Sequence, residues 1–177
     1  MLEMGIFEKY NGRKRDWLHD SLIFIFIFIV LFIIFRFVIG VSFVSGDSME
    51  PSLHDGECVV YLRIGSEYKS GDIVSVWVPS GDYYVKRVVA VGGDIVDIKD
   101  GVLYVNDEPV ENDYGYGETN KQLKAVIYPY TVREGNIFAL GDNREVSMDS
   151  RTFGEINNVQ IRGKIILVIG KWYIRSI

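Results

Sequence analysis

The stretch LIFIFIFIVLFIIF, residues 22–35, is a run of fourteen apolar residues without interruption. A run of this length is compatible with a membrane helix, a buried helix or the core of a cleavable signal sequence. The flanks favour the membrane helix, because Trp17 suits one membrane interface and Arg36 can extend its charge to the other. A cleavable signal needs small residues just beyond its core, and residues 22–46 contain no alanine. We therefore expect an uncleaved single anchor over residues 21–43.

The basic residues before this run predict the orientation of the anchor. Four of them lie within the first twenty residues: Lys9, Arg13, Lys14 and Arg15. Positive residues beside a membrane span stay on the cytoplasmic side. We therefore expect residues 1–20 in the cytoplasm and residues 44–177 outside it, in a single-pass protein of the cell membrane.

The charge and the composition of the outer part exclude several kinds of partner. It contains 14 basic and 20 acidic residues, a net charge of −6, which argues against nucleic acid as a partner. Cys58 is the one cysteine, so no intramolecular disulfide can form. The two histidines, His19 and His54, are too few for a histidine-rich metal site. We expect no metal ion and no cofactor.

After residue 43 the sequence alternates short apolar segments with turn residues, which is typical of β-strands. Strands are expected at residues 57–62, 73–78, 83–91, 126–132 and 137–140, and from Gly163 onward. Few windows outside the apolar run show a helical period. The sequence predicts a mainly β fold, in which a single N-terminal transmembrane helix precedes an antiparallel, barrel-like β domain.

The segment IVDIKDGVLYVN, residues 95–106, is the clearest hairpin in the chain. Two alternating strands flank Lys99, Asp100 and Gly101, and an Asp-Gly pair supplies the positive φ angles that a tight turn needs. Residues 106–124 are polar and rich in Asn, Asp, Gly and Tyr, so we expect an exposed loop there.

The segment SGDSMEPSL, residues 45–53, contains a candidate nucleophile. Gly46 and Pro51 favour a fixed backbone around Ser48 rather than a flexible linker. A serine is inert at neutral pH unless a base takes its proton. A loop serine alone is most often only a polar surface residue, so Ser48 needs a base elsewhere in the chain.

Lys86 is the candidate base, in the apolar strand YYVKRVVAV, residues 83–91. Alternation places Lys86 and Arg87 on opposite faces, so at least one of them faces a covered side. Burial lowers the pKa of a lysine, as a neutral general base requires. The alternative is an edge strand protected by its charges.

The segment LGDNREVSMDSRTFGEI, residues 140–156, is dense in charged and hydroxyl side chains. They are Asp142, Asn143, Arg144, Ser147, Asp149, Ser150 and Arg151. A solvated loop is one explanation, but acids and arginines at this spacing favour an ion-paired loop. The hydroxyl of Ser147 is a candidate for orienting a neutral lysine amine.

A histidine-dependent triad is the rival mechanism. His54 follows Ser48 by only six residues, an awkward spacing for a base, and His19 lies on the expected cytoplasmic side. Lysine is therefore the better candidate.

Four segments in order, SGDSMEPSL, GDIVSV, YYVKRVVAVGGD and GDNREVSMDSR, resemble the conserved boxes of the type I signal peptidases, which are membrane-anchored Ser/Lys proteases. The resemblance runs from about Arg36 to the C-terminus, and the size is similar to that of the Gram-positive-type members. It implies that Ser48 is the nucleophile, that Lys86 is the general base and that Ser147 orients the lysine amine. It further implies two structural ion pairs, Asp149 with Arg151 and Asp142 with Arg87. Val44 and Val85 would line the shallow pockets that accept the substrate.

The chain departs from some family members at Gly46, where they have a serine whose hydroxyl stabilises the oxyanion. The loss of such a donor costs about 2.7–4 kcal/mol where one is used. We expect a backbone group or a water molecule to replace it.

The resemblance implies a membrane-bound serine endopeptidase that removes signal peptides from secretory preproteins at small-residue, Ala-X-Ala-like sites. Its expected partners are preproteins and the lipid bilayer. Ser48 lies twelve residues after Arg36, at most roughly 40–43 Å along the chain, which tethers it near the bilayer. One alternative is a non-catalytic, membrane-anchored assembly factor of surface structures with the same fold. Another is a Ser/Lys autoprotease similar to phage repressors, although residues 1–20 are too short for its DNA-binding segment.

Overall fold

The structure, a computed structural model, describes residues 2–65, 67–78, 81–110, 114–122 and 126–177, with side chains from Trp17 onward. The chain divides into two units, of which the first ends at Val38 and the second is Ile39–Ile177.

The first unit is one long helix. Helix α1 covers Leu2–Ile33 and continues into a π-helical turn, Ile34–Val38. Within the described residues, Trp17–Val38 is the one segment that is long and apolar enough to cross a membrane. The hydroxyl of Ser21 donates to the carbonyl of Trp17 at 2.8 Å, which satisfies this polar group inside the helix.

The last five residues of the expected anchor do not continue the helix. Ile39–Phe43 form strand β1, which pairs with the antiparallel strand β2, Cys58–Leu62. Alternating β-branched and aromatic residues favour a strand when a partner edge is available, and β2 provides that edge. The expected C-terminal end of the anchor, residue 43, therefore lies beyond the end of the helix at Val38.

Two antiparallel sheets form the second unit. The remaining strands are β3 Ile73–Trp77, β4 Tyr83–Val91, β5 Ile95–Lys99, β6 Val102–Val105, β7 Glu108–Pro109, β8 Tyr130–Thr131, β9 Asn136–Leu140, β10 Ile156–Asn157, β11 Ile161–Ile169 and β12 Ile174–Ser176. The large sheet has the order β1-β2-β11-β3-β4-β9-β10, with β12 paired to β11, and the small sheet has the order β7-β6-β5-β8. A short helix, α2, covers Ser150–Phe153. The predicted mainly β fold is confirmed.

Strands β3 and β4 lie in the interior of the large sheet and have apolar neighbours on both faces. Along β3, Ile73 packs in a cluster with Met49 and Leu53, whereas Val74 and Val76 pack in a second cluster on the opposite face. Strand β4 pairs with β3 over residues 83–87 but with β9 only from Arg87 onward, so the half that contains Lys86 has a partner strand on one side only. The side chain of Lys86 is nevertheless buried, so the alternative of a charge that protects an exposed edge is wrong.

The hairpin at residues 95–106 forms as predicted, between β5 and β6. Asp100 and Gly101 have φ angles of 49° and 78°, which are the positive values that the turn needs. The expected strand at 126–132 is shorter, since only Tyr130–Thr131 pairs with β5. Pro129 has no N–H group to donate to a ladder, which limits the pairing there.

The expected loop at 106–124 is not exposed throughout. Residues 111–113 and 123–124 of it lie outside the described residues. Glu108–Pro109 form β7, and Thr119 is buried. The backbone N–H of Tyr116 donates to the carbonyl of Asp142 at 2.6 Å, and that of Arg144 donates to the carbonyl of Tyr116 at 2.9 Å. The 114–122 segment is therefore attached to the charged loop that follows β9.

Candidate active site

The structure brings Ser48 and Lys86 together, although 38 residues separate them in sequence. The Nζ atom of Lys86 lies 2.8 Å from the Oγ atom of Ser48, a hydrogen-bonding distance. A nucleophile and a base within this distance are the arrangement that serine activation requires.

The backbone of residues 44–57 places Ser48 in this position. Hydrogen bonds between Val44 and Glu57 (2.8 Å) and between Gly56 and Val44 (3.0 Å) close the base of the loop. Gly46 has a φ of 82°, in the region that favours glycine, and its N–H donates to Asp55 Oδ1 at 2.8 Å. Met49, directly after the serine, is buried in the core and anchors the loop.

Close backbone contact joins Ser48 to the charged loop after β9. The N–H of Asn143 donates to the carbonyl of Ser48 at 3.1 Å. A Cβ atom on Gly141 would lie 2.5 Å from the same carbonyl oxygen, so only glycine permits this approach.

Lys86 is almost completely buried, with 1% of its surface exposed. Burial lowers the pKa of Lys86 to about 8; Asp149 and Asp142 oppose this shift, and Arg151 adds to it. At pH 7 about a tenth of such amines are neutral, more than a hundredfold above the fraction for an ordinary lysine. The Nζ atom also lies 5.2 Å from the ring centroid of Tyr84.

Arg87 and Asp142 form a buried, bidentate ion pair. Nε of Arg87 donates to Oδ1 at 2.8 Å, and Nη2 donates to Oδ2 at 2.7 Å. Arg87 also donates to the carbonyl of Gly71 at 2.9 Å and to the hydroxyl of Ser52 at 3.0 Å. One guanidinium thus links β4, the segment before β3, the serine loop and the charged loop.

Asp149 and Arg151 form the second predicted ion pair, which is also buried. Nε and Nη2 of Arg151 donate to the two carboxylate oxygens of Asp149, each at 2.9 Å. Asp149 also caps α2 and accepts the N–H of Gly141 at 3.1 Å. This pair therefore shapes the turn that contacts Ser48.

We expect the Asp149→Ala substitution to lower the free energy of unfolding by about 3–5 kcal/mol, because it leaves the buried Arg151 guanidinium without its counter-ion. Guanidinium denaturation of the full chain in detergent measures this loss. The matched control is Lys99→Ala, which removes an exposed ammonium group that pairs with half-buried Asp97 and exposed Asp107. The control should cost less than about 1 kcal/mol. Equal losses in the two variants would contradict the bracing role of Asp149.

Ser147 is buried, but its hydroxyl forms no hydrogen bond within the part of the chain that the structure describes. The predicted hydrogen bond to Lys86 is therefore not formed. The side chain packs against Gly141, and the Ser147 carbonyl accepts from Nε2 of Gln122 at 3.3 Å. The role of Ser147 in orienting the lysine stays a prediction.

Val44 and Val85, the predicted pocket residues, both line a cavity of about 60 Å³ beside Ser48. The other lining residues are Ser42, Phe43, Ser45, Met49, Ser75, Tyr83, Tyr84 and Lys86. A cavity of this size accepts only a small side chain.

His54 does not contact Ser48. Its Nδ1 atom lies 3.4 Å from Glu50 Oε1, and both side chains are about half exposed. The histidine-dependent alternative therefore has no geometric support. Among the described residues, no group of three His, Cys, Asp or Glu side chains is placed to hold a metal ion.

The 114–122 segment, expected only as an exposed loop, is also a part of the site. The ring of Tyr114 lies 3.9 Å from the guanidinium carbon of Arg87, a cation–π contact. Gly115 lies against the guanidinium of Arg144, where any Cβ atom would collide with it. The glycines in YGYG, residues 114–117, were the available signal, because glycine permits the charged side chains of a neighbouring loop to pack directly against the backbone.

Comparison with known proteins shows similarity to one family. The family model described as signal peptidase, peptidase S26, matches residues 15–172. Signal peptidase IB of Staphylococcus aureus is 37% identical over 155 residues, covering 78% of this chain and 81% of that protein. Signal peptidase I of Bacillus licheniformis is 38% identical over 172 residues, covering 88% and 90%. The crystal structure of a signal peptidase I from Enterococcus faecalis is 30% identical, covers 55% of this chain and 96% of that chain, and has a TM-score of 0.47.

Proposed function

Because this chain belongs to the signal peptidase family, peptidase S26, we propose that it cleaves preproteins with Ser48 as the nucleophile and Lys86 as the general base. The protein is a membrane-anchored peptidase that removes signal peptides from secreted preproteins. The observation that carries the proposal is the 2.8 Å distance between Lys86 Nζ and Ser48 Oγ at a buried lysine.

In the first step, neutral Lys86 takes the hydroxyl proton of Ser48 while Oγ bonds to the scissile carbonyl carbon. The lysine then gives this proton to the leaving amine as the C–N bond breaks, and an acyl-enzyme remains. In the second step, water attacks the ester and passes a proton to Nζ. The bond between Oγ and the acyl carbon breaks, and the proton returns to Oγ.

The backbone N–H of Ser48 is the proposed donor to the oxyanion. Within the described residues it donates to no other group, whereas the N–H of Gly46 is already bonded to Asp55. Gly46 has no side chain to contribute. A preorganised backbone donor is the kind of group that stabilises this charge.

The small cavity accounts for cleavage at Ala-X-Ala-like sites. Its apolar walls, Val44 and Val85, favour a methyl group and leave no room for a large side chain. β1 stands at the end of the sheet order, so an extended preprotein segment can pair with its outer edge. We place the substrate strand between β1 and β4, since both line the cavity.

The buried ion pairs, Asp142 with Arg87 and Asp149 with Arg151, brace this site in the proposal. The apolar helix within Trp17–Val38 spans the lipid bilayer, the residues before it lie in the cytoplasm, and the β domain lies on the other side of the membrane. The basic residues before the span support this orientation. The comparisons contain nothing in favour of a non-catalytic assembly factor.

The pH dependence of cleavage tests the lysine base. Burial lowers the pKa of Lys86 to about 8, so the amine is mostly protonated below this pH and mostly neutral above it. The base must be neutral, and kcat/KM should therefore rise about tenfold per pH unit well below pH 8 and level off above it. The measurement uses the full chain in detergent, a preprotein substrate and N-terminal sequencing of the product. A flat profile between pH 6 and 8 would contradict the role of Lys86.

A further inference from the structure

A buried hydroxyl group, that of Ser75, lies in the wall of the cavity beside the nucleophile. Ser75 is only 3% exposed, and it lines the same cavity of about 60 Å³ as Ser48 and Val85. The resemblance to the family does not assign it a role.

The pleat of β3 places Ser75 on the same face of the strand as apolar Ile73. Ile73, two residues earlier on the same face, packs with Val44 and Met49, and both of these also line the cavity or its floor. Ser75 is in register with Val85 on β4, and directly opposed residues share a face. The Ser75 hydroxyl thus lies beside aliphatic Val85, in a cavity that Ser42, Ser45, Ser48 and Lys86 also line.

No side-chain hydrogen bond of Ser75 occurs within the residues that the structure describes. Its oxygen is not among the fully enclosed side-chain atoms that lack a partner, so it borders the open space of the cavity. A ligand that enters the cavity with a donor or an acceptor of its own would satisfy the hydroxyl.

We propose that Ser75 adapts the cavity to a serine at one of the two small positions of the cleavage site. The substrate hydroxyl bonds to the Ser75 hydroxyl, while its methylene group packs against Val44 and Val85. This inference rests on the proposed function, in which the small residues of the preprotein enter this cavity. The protein therefore processes serine-containing cleavage sites nearly as well as alanine-containing ones.

The test compares matched peptide substrates with either alanine or serine at one of two positions. These are the first and the third residue before the scissile bond. The full chain in detergent is assayed as wild type, Ser75→Ala and Ser75→Thr, and kcat/KM is measured for each substrate. Ser70→Ala, which removes an exposed hydroxyl just before β3, is the matched control.

In Ser75→Ala, the ratio of serine-site to alanine-site kcat/KM should fall about threefold to tenfold at one of the two positions, as expected for the loss of one neutral hydrogen bond. Ser75→Thr keeps a hydroxyl and should retain more of the ratio, and Ser70→Ala should keep it unchanged. An unchanged ratio at both positions in Ser75→Ala overturns the inference, as does an equal loss on both substrates. If the wild type cleaves neither substrate, the proposed function itself fails.

Discussion

Lys86→Met is expected to reduce kcat/KM for preprotein cleavage about 10⁴-fold or more, because it removes the only base within hydrogen-bonding distance of Ser48 Oγ among the described residues. Methionine keeps an unbranched apolar stem in the buried site, so the fold should survive the change. The rate is measured with the full chain in detergent, at a pH above 8 where the wild type is most active.

Two companion variants separate a base from a positive charge. Lys86→Arg keeps a cation that cannot lose its proton at working pH, so it should be as inactive as Lys86→Met. Lys99→Met removes an exposed ammonium group on β5 and should leave the rate unchanged. Substantial activity in Lys86→Arg would show that the charge, and not proton transfer, is what cleavage requires. Normal turnover in Lys86→Met would eliminate the dyad.

Ser48→Ala is expected to abolish cleavage, with a loss on the order of 10⁶-fold as for other serine nucleophiles. Only the Oγ atom is removed, and the loop that holds residue 48 depends on backbone hydrogen bonds and on buried Met49 and Leu53. Substrate binding should therefore persist when turnover is lost. Cleavage rates and the binding of a preprotein peptide to the detergent-solubilised chain measure the two effects.

Trapping of the covalent intermediate provides the second readout for Ser48. In the wild type, rapid quenching of the reaction should reveal a species with the added mass of the signal peptide, as expected for an acyl-enzyme. Ser48→Ala should show no such species, and the Ser70→Ala control should show it at the wild-type level. Acylated protein in Ser48→Ala would assign the nucleophile to another residue.

Local sequence patterns determined much of the architecture. The apolar run predicted α1, alternation predicted most strands of the large sheet, and Asp100-Gly101 predicted the β5–β6 turn with its positive φ angles. The order of the four segments also predicted the family. These features depend on residues that are close in sequence, where periodicity and turn chemistry act directly.

The tertiary structure decided what depends on contacts between distant segments. Strand β1 could not be distinguished from the end of the anchor until β2 supplied an edge for Ile39–Phe43. Alternation required only one covered face for β4, whereas the folded domain buries both Lys86 and Arg87. The packing of Tyr114 on Arg87 and the missing hydrogen bond between Ser147 and Lys86 were likewise beyond local patterns.

Ser48 and Lys86 show which properties of the site local sequence predicts and which depend on the tertiary structure. Sequence identified a serine that needs a base and a lysine that needs burial, but neither pattern specifies the 2.8 Å between them. That distance depends on how the sheet places β4 against residues 44–57, and on the approach that Gly141 allows. Burial then lowers the pKa of Lys86 to about 8, because desolvation acts only when the whole core has closed around the amine.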